Sequence, residues 1–117
     1  MTLREIDKKI ERVKNEIQKI GFMRPGSLSK QYNICGVEKC RCKDPLRPKK
    51  HGPYFNLNYV HLGKKKTQFI RNQFAVSIER QTRLYKKFRD LSQQWISLAI
   101  ERSNLEMKLE LEQKKED

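Results

Sequence analysis

All three cysteines and both histidines of this 117-residue chain fall between Cys35 and Arg71. Four of those five side chains, Cys35, Cys40, Cys42 and His51, follow the pattern C-x4-C-x-C-x8-H. Three soft thiolates and one imidazole form a donor set that suits tetrahedral structural zinc. Cys40 and Cys42, two residues apart, can aim their sulfurs at one centre if the backbone turns there, and Gly36 relieves crowding next to Cys35. The competing reading is three ordinary reduced thiols. Packing alone seldom needs three cysteines within eight residues followed nine residues later by a histidine, so the expectation is a Cys3His zinc knuckle. His61 is read as a surface residue and not as a ligand.

The chain around this cluster is short and polar. With 36% hydrophobic residues and a mean hydropathy of -0.92, it has room for one domain with a small core, which a metal would help to close. The cysteine number is odd, no apolar run has the length of a signal-peptide core, and no stretch of about 20 apolar residues is present to span a bilayer. The expectation is a soluble cytoplasmic protein of a reducing compartment, with no membrane partner.

Charge is unevenly spread. Residues 21–72 carry twelve Lys/Arg against two Asp/Glu, and so hold +10 of the net +13. A localised basic patch concentrates phosphate-bearing partners and releases counterions when it binds DNA or RNA. An acidic protein partner or a merely solvated surface are the alternatives. No segment pairs a basic face with a strongly apolar one, which argues against a lipid surface.

The elements that must position these groups follow in order. Thr2 to Glu5 can form a capping box. Leu3, Ile6, Ile10, Val13, Ile17 and Ile20 then recur at alternating steps of three and four, the register of a coiled-coil helix that Gly21 ends. Gly26 to Tyr32 reads as a short extended or single-turn link. Lys43 to Lys50 is too rich in proline for helix and too basic for burial, and its Arg47, Lys49 and Lys50 are candidate phosphate contacts.

A β-hairpin is expected from His51 to Arg71. With Leu62, Gly63 and Lys64 as a three-residue loop, Tyr59 would face Thr67 and Leu57 would face Phe69, making one apolar face. The other face would show Asn56, Asn58, Lys66 and Gln68, amides able to bond adenine if the ribbon entered a DNA major groove; a plain solvated sheet face is the alternative. Lys64, Lys65 and Lys66 at the tip, and Arg71 at the far end, complete the candidate nucleic-acid contacts.

Asn72 is expected to cap a last helix from about Gln73 to about Gln113, roughly 60 Å long. Its stripe runs Phe74, Ile78, Tyr85, Phe88, Leu91, Trp95, Leu98, Leu105, Leu109, with Arg102 interrupting it. The first helix, about 20 residues long, can cover only about half of this stripe, which predicts a homodimer or another coiled-coil partner. The predicted class is α+β: an N-terminal helix (1–22), a basic module of zinc knuckle and β-hairpin (23–72), and a long C-terminal helix forming a coiled coil (73–117).

The string of G-S-L-S at Gly26, C-G at Cys35, C-x-C at Cys40, H-G-P-Y at His51 and a G-K tip at Gly63 resembles a bacterial and archaeal family of small uncharacterised proteins. The resemblance covers residues 26–71 directly and the helical tail more loosely. It implies that Cys35, Cys40, Cys42 and His51 are the family's shared site, and that the setting is a mobile genetic element. Phe55 stands where many members have a second tyrosine, and the loop from Lys43 to Lys50 is rich in proline and lacks glycine.

No general base with an orienting partner stands at a readable spacing, so the chain is not expected to be an enzyme. The sequence predicts a zinc-stabilised nucleic-acid-binding protein, DNA favoured over RNA, that serves as an accessory or regulatory factor of transposition or a related process. The alternative is a coiled-coil adaptor in a nucleoprotein complex.

Overall fold

The computed structural model describes residues 1–33 and 39–116. Its architecture is α+β: a helix α1 (Leu3–Gln18), a three-stranded antiparallel sheet of β1 (Ser27–Asn33), β2 (His51–His61) and β3 (Lys64–Ile70) in that spatial order, and a helix α2 (Ala75–Glu116) of 42 residues. The chain divides into two compact units, one of residues 1–22 with 84–117 and the other of residues 23–83.

In the helical unit, the Thr2 hydroxyl accepts the Glu5 N–H at 3.2 Å, which satisfies one of the orphan amides of the first turn. The a/d stripe of α1 is its covered face: Ile6 and Val13 are buried, and Leu3, Ile10 and Ile17 are half-buried. Leu91 of α2 is buried with them. Asp7 accepts from Arg102 Nε at 2.6 Å, and the Lys14 ammonium lies 5.0 Å from the centre of the Trp95 ring. As α1 advances from 7 to 14, its partners on α2 retreat from 102 to 95, so the two helices run antiparallel. The Asp7 hydrogen bond and charge, with Glu106 one turn along at 2.8 Å, hold the Arg102 guanidinium above its usual pKa.

This pairing changes the expectation about length. Leu98 and Leu105 are half-buried within the chain's own helical unit, and Leu3 lines one groove with Leu109. What α2 leaves uncovered is a different line of side chains, Ile96, Ile100, Met107 and Leu111, each more than half exposed. The start of α2 also differs. Residues Asn72–Phe74 form a 3-10 turn with Phe74 N–H on Arg71 O at 2.9 Å, so Asn72 lies inside that turn and the helix proper begins at Ala75.

In the sheet unit, β1 is a full strand. Residues Ser27–Asn33 carry little alternation of their own, and they are extended because β2 offers them an edge, from Ser27 opposite Asn58 to Asn33 opposite His51. The hairpin register differs from expectation by one residue. His61 pairs with Lys64, so the loop is the two residues Leu62 and Gly63, at φ 51° and 77°. Positive φ at both central positions is the signature of a type I′ turn, whose twist matches that of the strands. The one-residue shift moves each β3 side chain to the other face. Leu57 is therefore opposite Gln68, Tyr59 opposite Lys66 and Asn56 opposite Phe69.

The inner face of the sheet holds the core of this unit. Leu57 is fully buried and Ile70 nearly so, together with Ala75 and Thr82 from α2. Arg24, just before β1, crosses this face. Its guanidinium carbon lies 4.9 Å from the Tyr59 ring centre, its Nη2 donates to Gln68 Oε1 at 3.3 Å, and its backbone N–H donates to Gln81 O at 3.3 Å.

Candidate metal centre and basic face

Cys40, Cys42 and His51 come together at one end of the sheet. Cys40 precedes a 3-10 turn (Arg41–Lys43), Cys42 is buried inside it, and His51 opens β2. One ligand atom from each lies within 4.8 Å of the other two, with Cys40 Sγ 3.0 Å from His51 Nε2. Around a tetrahedral zinc, bonds of about 2.0 to 2.3 Å place neighbouring ligand atoms about 3.5 to 3.8 Å apart. The observed cluster is already at that scale, and its thiol and imidazole donors can hold a metal ion. Cys35, the remaining member of the expected set, lies outside the described residues.

The geometry has local causes. The turn at Arg41–Lys43 closes with Lys43 N–H on Cys40 O at 3.0 Å, which supplies the backbone reversal that an x-spaced cysteine pair requires. The following loop is pinned rather than loose: Asp44 Oδ1 accepts the N–H of Leu46 at 3.0 Å, and Lys49 N–H returns to Arg41 O at 2.9 Å. His51 is set by an irregularity in β2. Gln31 pairs with Tyr54 but Asn33 pairs with His51, so β2 spends one extra residue there. A bulge of this kind re-aims the side chain next to it.

The H-G-P-Y string explains the bulge. Pro53 has no N–H to give to a ladder. Gly52 sits at φ 137°, where a Cβ would lie 2.8 Å from Gln31 O and 3.0 Å from Tyr32 Cδ1. Only glycine fits between the strands at that point.

The candidate phosphate-contacting residues are all on the surface. Arg47, Lys49 and Lys50 are exposed on the loop that leads into His51, Lys64, Lys65 and Lys66 are exposed at and beside the hairpin tip, and Arg71 is exposed after β3. The four amide and lysine side chains expected to share one face are divided. Asn56 and Asn58 stand on the outer face, whereas Lys66 and Gln68 belong to the face of Tyr59 and Leu57, where Gln68 is engaged by Arg24. The two-residue turn is the cause.

The outer face has members that the sequence reading did not assign to it. Strand β1 adds Ser27, Ser29 and Gln31, and β3 adds Lys65, Thr67 and Phe69. Asn56 Nδ2 donates to Gln31 Oε1 at 3.2 Å, and Thr67 Oγ1 donates to Asn58 Oδ1 at 2.8 Å. Phe69 is 58% exposed in their midst. A two-residue loop register, had it been taken, would have brought Phe69 opposite Asn56.

The model of one protein family, described as a domain of unknown function (DUF6788), matches residues 3–81. The chain belongs to that family. The match takes in α1, the whole sheet unit up to Gln81 and every candidate ligand. No curated protein and no solved structure matches the chain. Among the described residues, no helix is long and apolar enough to cross a membrane.

Proposed function

We propose that this member of the family is a zinc-stabilised nucleic-acid-binding protein, DNA favoured over RNA, acting as an accessory or regulatory factor of a mobile genetic element. The observation that carries the reading is that Cys40, Cys42 and His51 converge within the same segment that holds +10 of the net charge. Two cysteines and a histidine favour zinc over the oxygen-seeking magnesium and calcium. Cys35 is the fourth ligand in this reading. A site closed by four protein ligands supplies folding energy and no reaction, so the reading includes no catalytic step.

Arg47, Lys49, Lys50, Lys64, Lys65, Lys66 and Arg71 are the phosphate contacts, and Asn56 and Asn58 on the outer face are candidates for base contacts, whereas Gln68 is held by Arg24 on the other face. The test is anisotropy titration of labelled duplex and single-stranded oligonucleotides at several salt concentrations, with elemental analysis of the same protein. About one zinc per chain and a steep loss of affinity with salt are expected. Protein prepared under reducing conditions that holds no zinc, or that binds no oligonucleotide, refutes the reading.

A second reading, a coiled-coil adaptor or homodimer acting through its helices, is favoured by the exposed line of Ile96, Ile100, Met107 and Leu111 on α2. Light scattering distinguishes it: more than one chain at micromolar concentration, reduced to one by Ile100→Asp, supports pairing through that line.

A further inference from the structure

The strands of the sheet contain no acidic residue, and their outer face is largely polar and three strands wide. Its amides are occupied with one another, Asn56 with Gln31 and Asn58 with Thr67, so they are held in place rather than extended toward a partner. Both asparagines lie where the sheet has all three strands, since Asn56 pairs with Ser29 and Phe69, and Asn58 with Ser27 and Thr67. Strands about 4.8 Å apart make three backbones about 10 Å wide before side chains are added. A DNA major groove about 12 Å wide admits a helix or a two-stranded ribbon. The asparagine part of this face would therefore nearly fill a duplex groove before its side chains are counted.

The same face offers a different kind of contact. Phe69 is 58% exposed at its middle, and Tyr54, half-buried, is the diagonal neighbour of Phe69 across the strand pair, about 7 Å away. Lys65 stands on this face toward the hairpin tip. An aromatic ring open to solvent with a cation near it is what an unstacked base needs: the ring takes the flat side of the base while the cation follows the phosphates. A base stacked on Phe69 would also cover an apolar ring that now faces water. We infer that the ligand of this face is a single-stranded stretch of nucleic acid, its bases stacked on Phe69 and Tyr54 and its backbone running toward Lys65. The inference rests on the nucleic-acid reading above and narrows it to unpaired strands.

The experiment uses the full-length, zinc-loaded protein with one fluorescent oligonucleotide, presented single-stranded and as the duplex with its complement. Tighter binding of the single strand is expected. Phe69→Ala should weaken it about tenfold with the salt slope unchanged, because stacking and not charge is removed, and Phe69→Tyr should retain the affinity. An unchanged melting temperature of Phe69→Ala, expected for so exposed a ring, separates lost stacking from lost folding. Equal binding of single strand and duplex, untouched by Phe69→Ala, overturns this inference and leaves the nucleic-acid reading standing. Absence of binding to both forms overturns that reading as well.

Discussion

Replacing Gly52 by alanine should damage the candidate metal centre without touching Cys40, Cys42 or His51. The added Cβ would lie 2.8 Å from Gln31 O and 3.0 Å from Tyr32 Cδ1, against backbone that is itself part of the β1–β2 ladder. At φ 137° an L-residue is also strained, by about 1 to 3 kcal/mol. Relief requires β1 to move off β2, loosening the pairs Gln31 with Tyr54 and Asn33 with His51, and each backbone hydrogen bond so weakened costs about 0.5 to 1.5 kcal/mol. With one bond weakened in each of the two pairs, the total is about 2 to 6 kcal/mol. A unit the size of residues 23–83 is stable by only about 3 to 9 kcal/mol, so Gly52→Ala should bring it close to unfolding. Urea unfolding followed by circular dichroism measures the loss, and competition with a chromophoric chelator measures zinc affinity, expected to fall together with it. An unfolding free energy within about 0.5 kcal/mol of the parent, the usual range of a neutral surface change, would refute this account of the bulge.

Three further outcomes are expected. Cys42→Ser, which removes a buried ligand, should abolish zinc retention and match the effect of chelation on thermal unfolding, with His51→Ala milder because water can replace the lost ligand; both are read by elemental analysis and calorimetry. Lys64, Lys65 and Lys66 changed together to alanine should lower affinity for all oligonucleotide sequences alike and flatten the salt slope by about two to three units. Leu62→Asn should stabilise the protein by about 1 kcal/mol in urea unfolding, because Leu62 is held at φ 51° with its side chain almost wholly in water, and asparagine adopts that conformation more readily.

The legible parts of this chain were those with strong local signals. The Thr2 cap and the stripe from Leu3 to Ile17 are periodic and locally complete, and α1 is what they describe. The clustering of Cys40, Cys42 and His51 was readable because few other uses explain that spacing. Strand β1 was not, since S-L-S-K-Q-Y-N acquires its conformation from its neighbour across the ladder. The hairpin register was missed because leucine is a poor residue for positive φ, and the residue type at 62 pointed away from the tight turn that the strand twist selects. The long helix concealed its second apolar line for another reason. A stripe through Leu91, Leu98 and Leu105 accounts for the stronger hydrophobes, and only when α1 occupies that side do Ile96 and Ile100 stand out as uncovered.

The hydrogen bond from Arg24 N–H to Gln81 O bears on the order of folding events. The helical unit is discontinuous: α1 and the part of α2 it packs on are separated in the chain by the 61 residues from Met23 to Arg83. While that stretch is unfolded, bringing the two helices together means closing a long flexible loop, an entropic cost on the order of 4 kcal/mol. Once it is folded, Arg24 and Gln81 are fixed 3.3 Å apart at the backbone, so the loop that must close between the two helices is short. Burial of the helical seam is thus expected to lag behind formation of the sheet in refolding kinetics. Any change that slows the sheet, including the loss of Cys42 or His51, should delay the helices as well, although neither residue belongs to them.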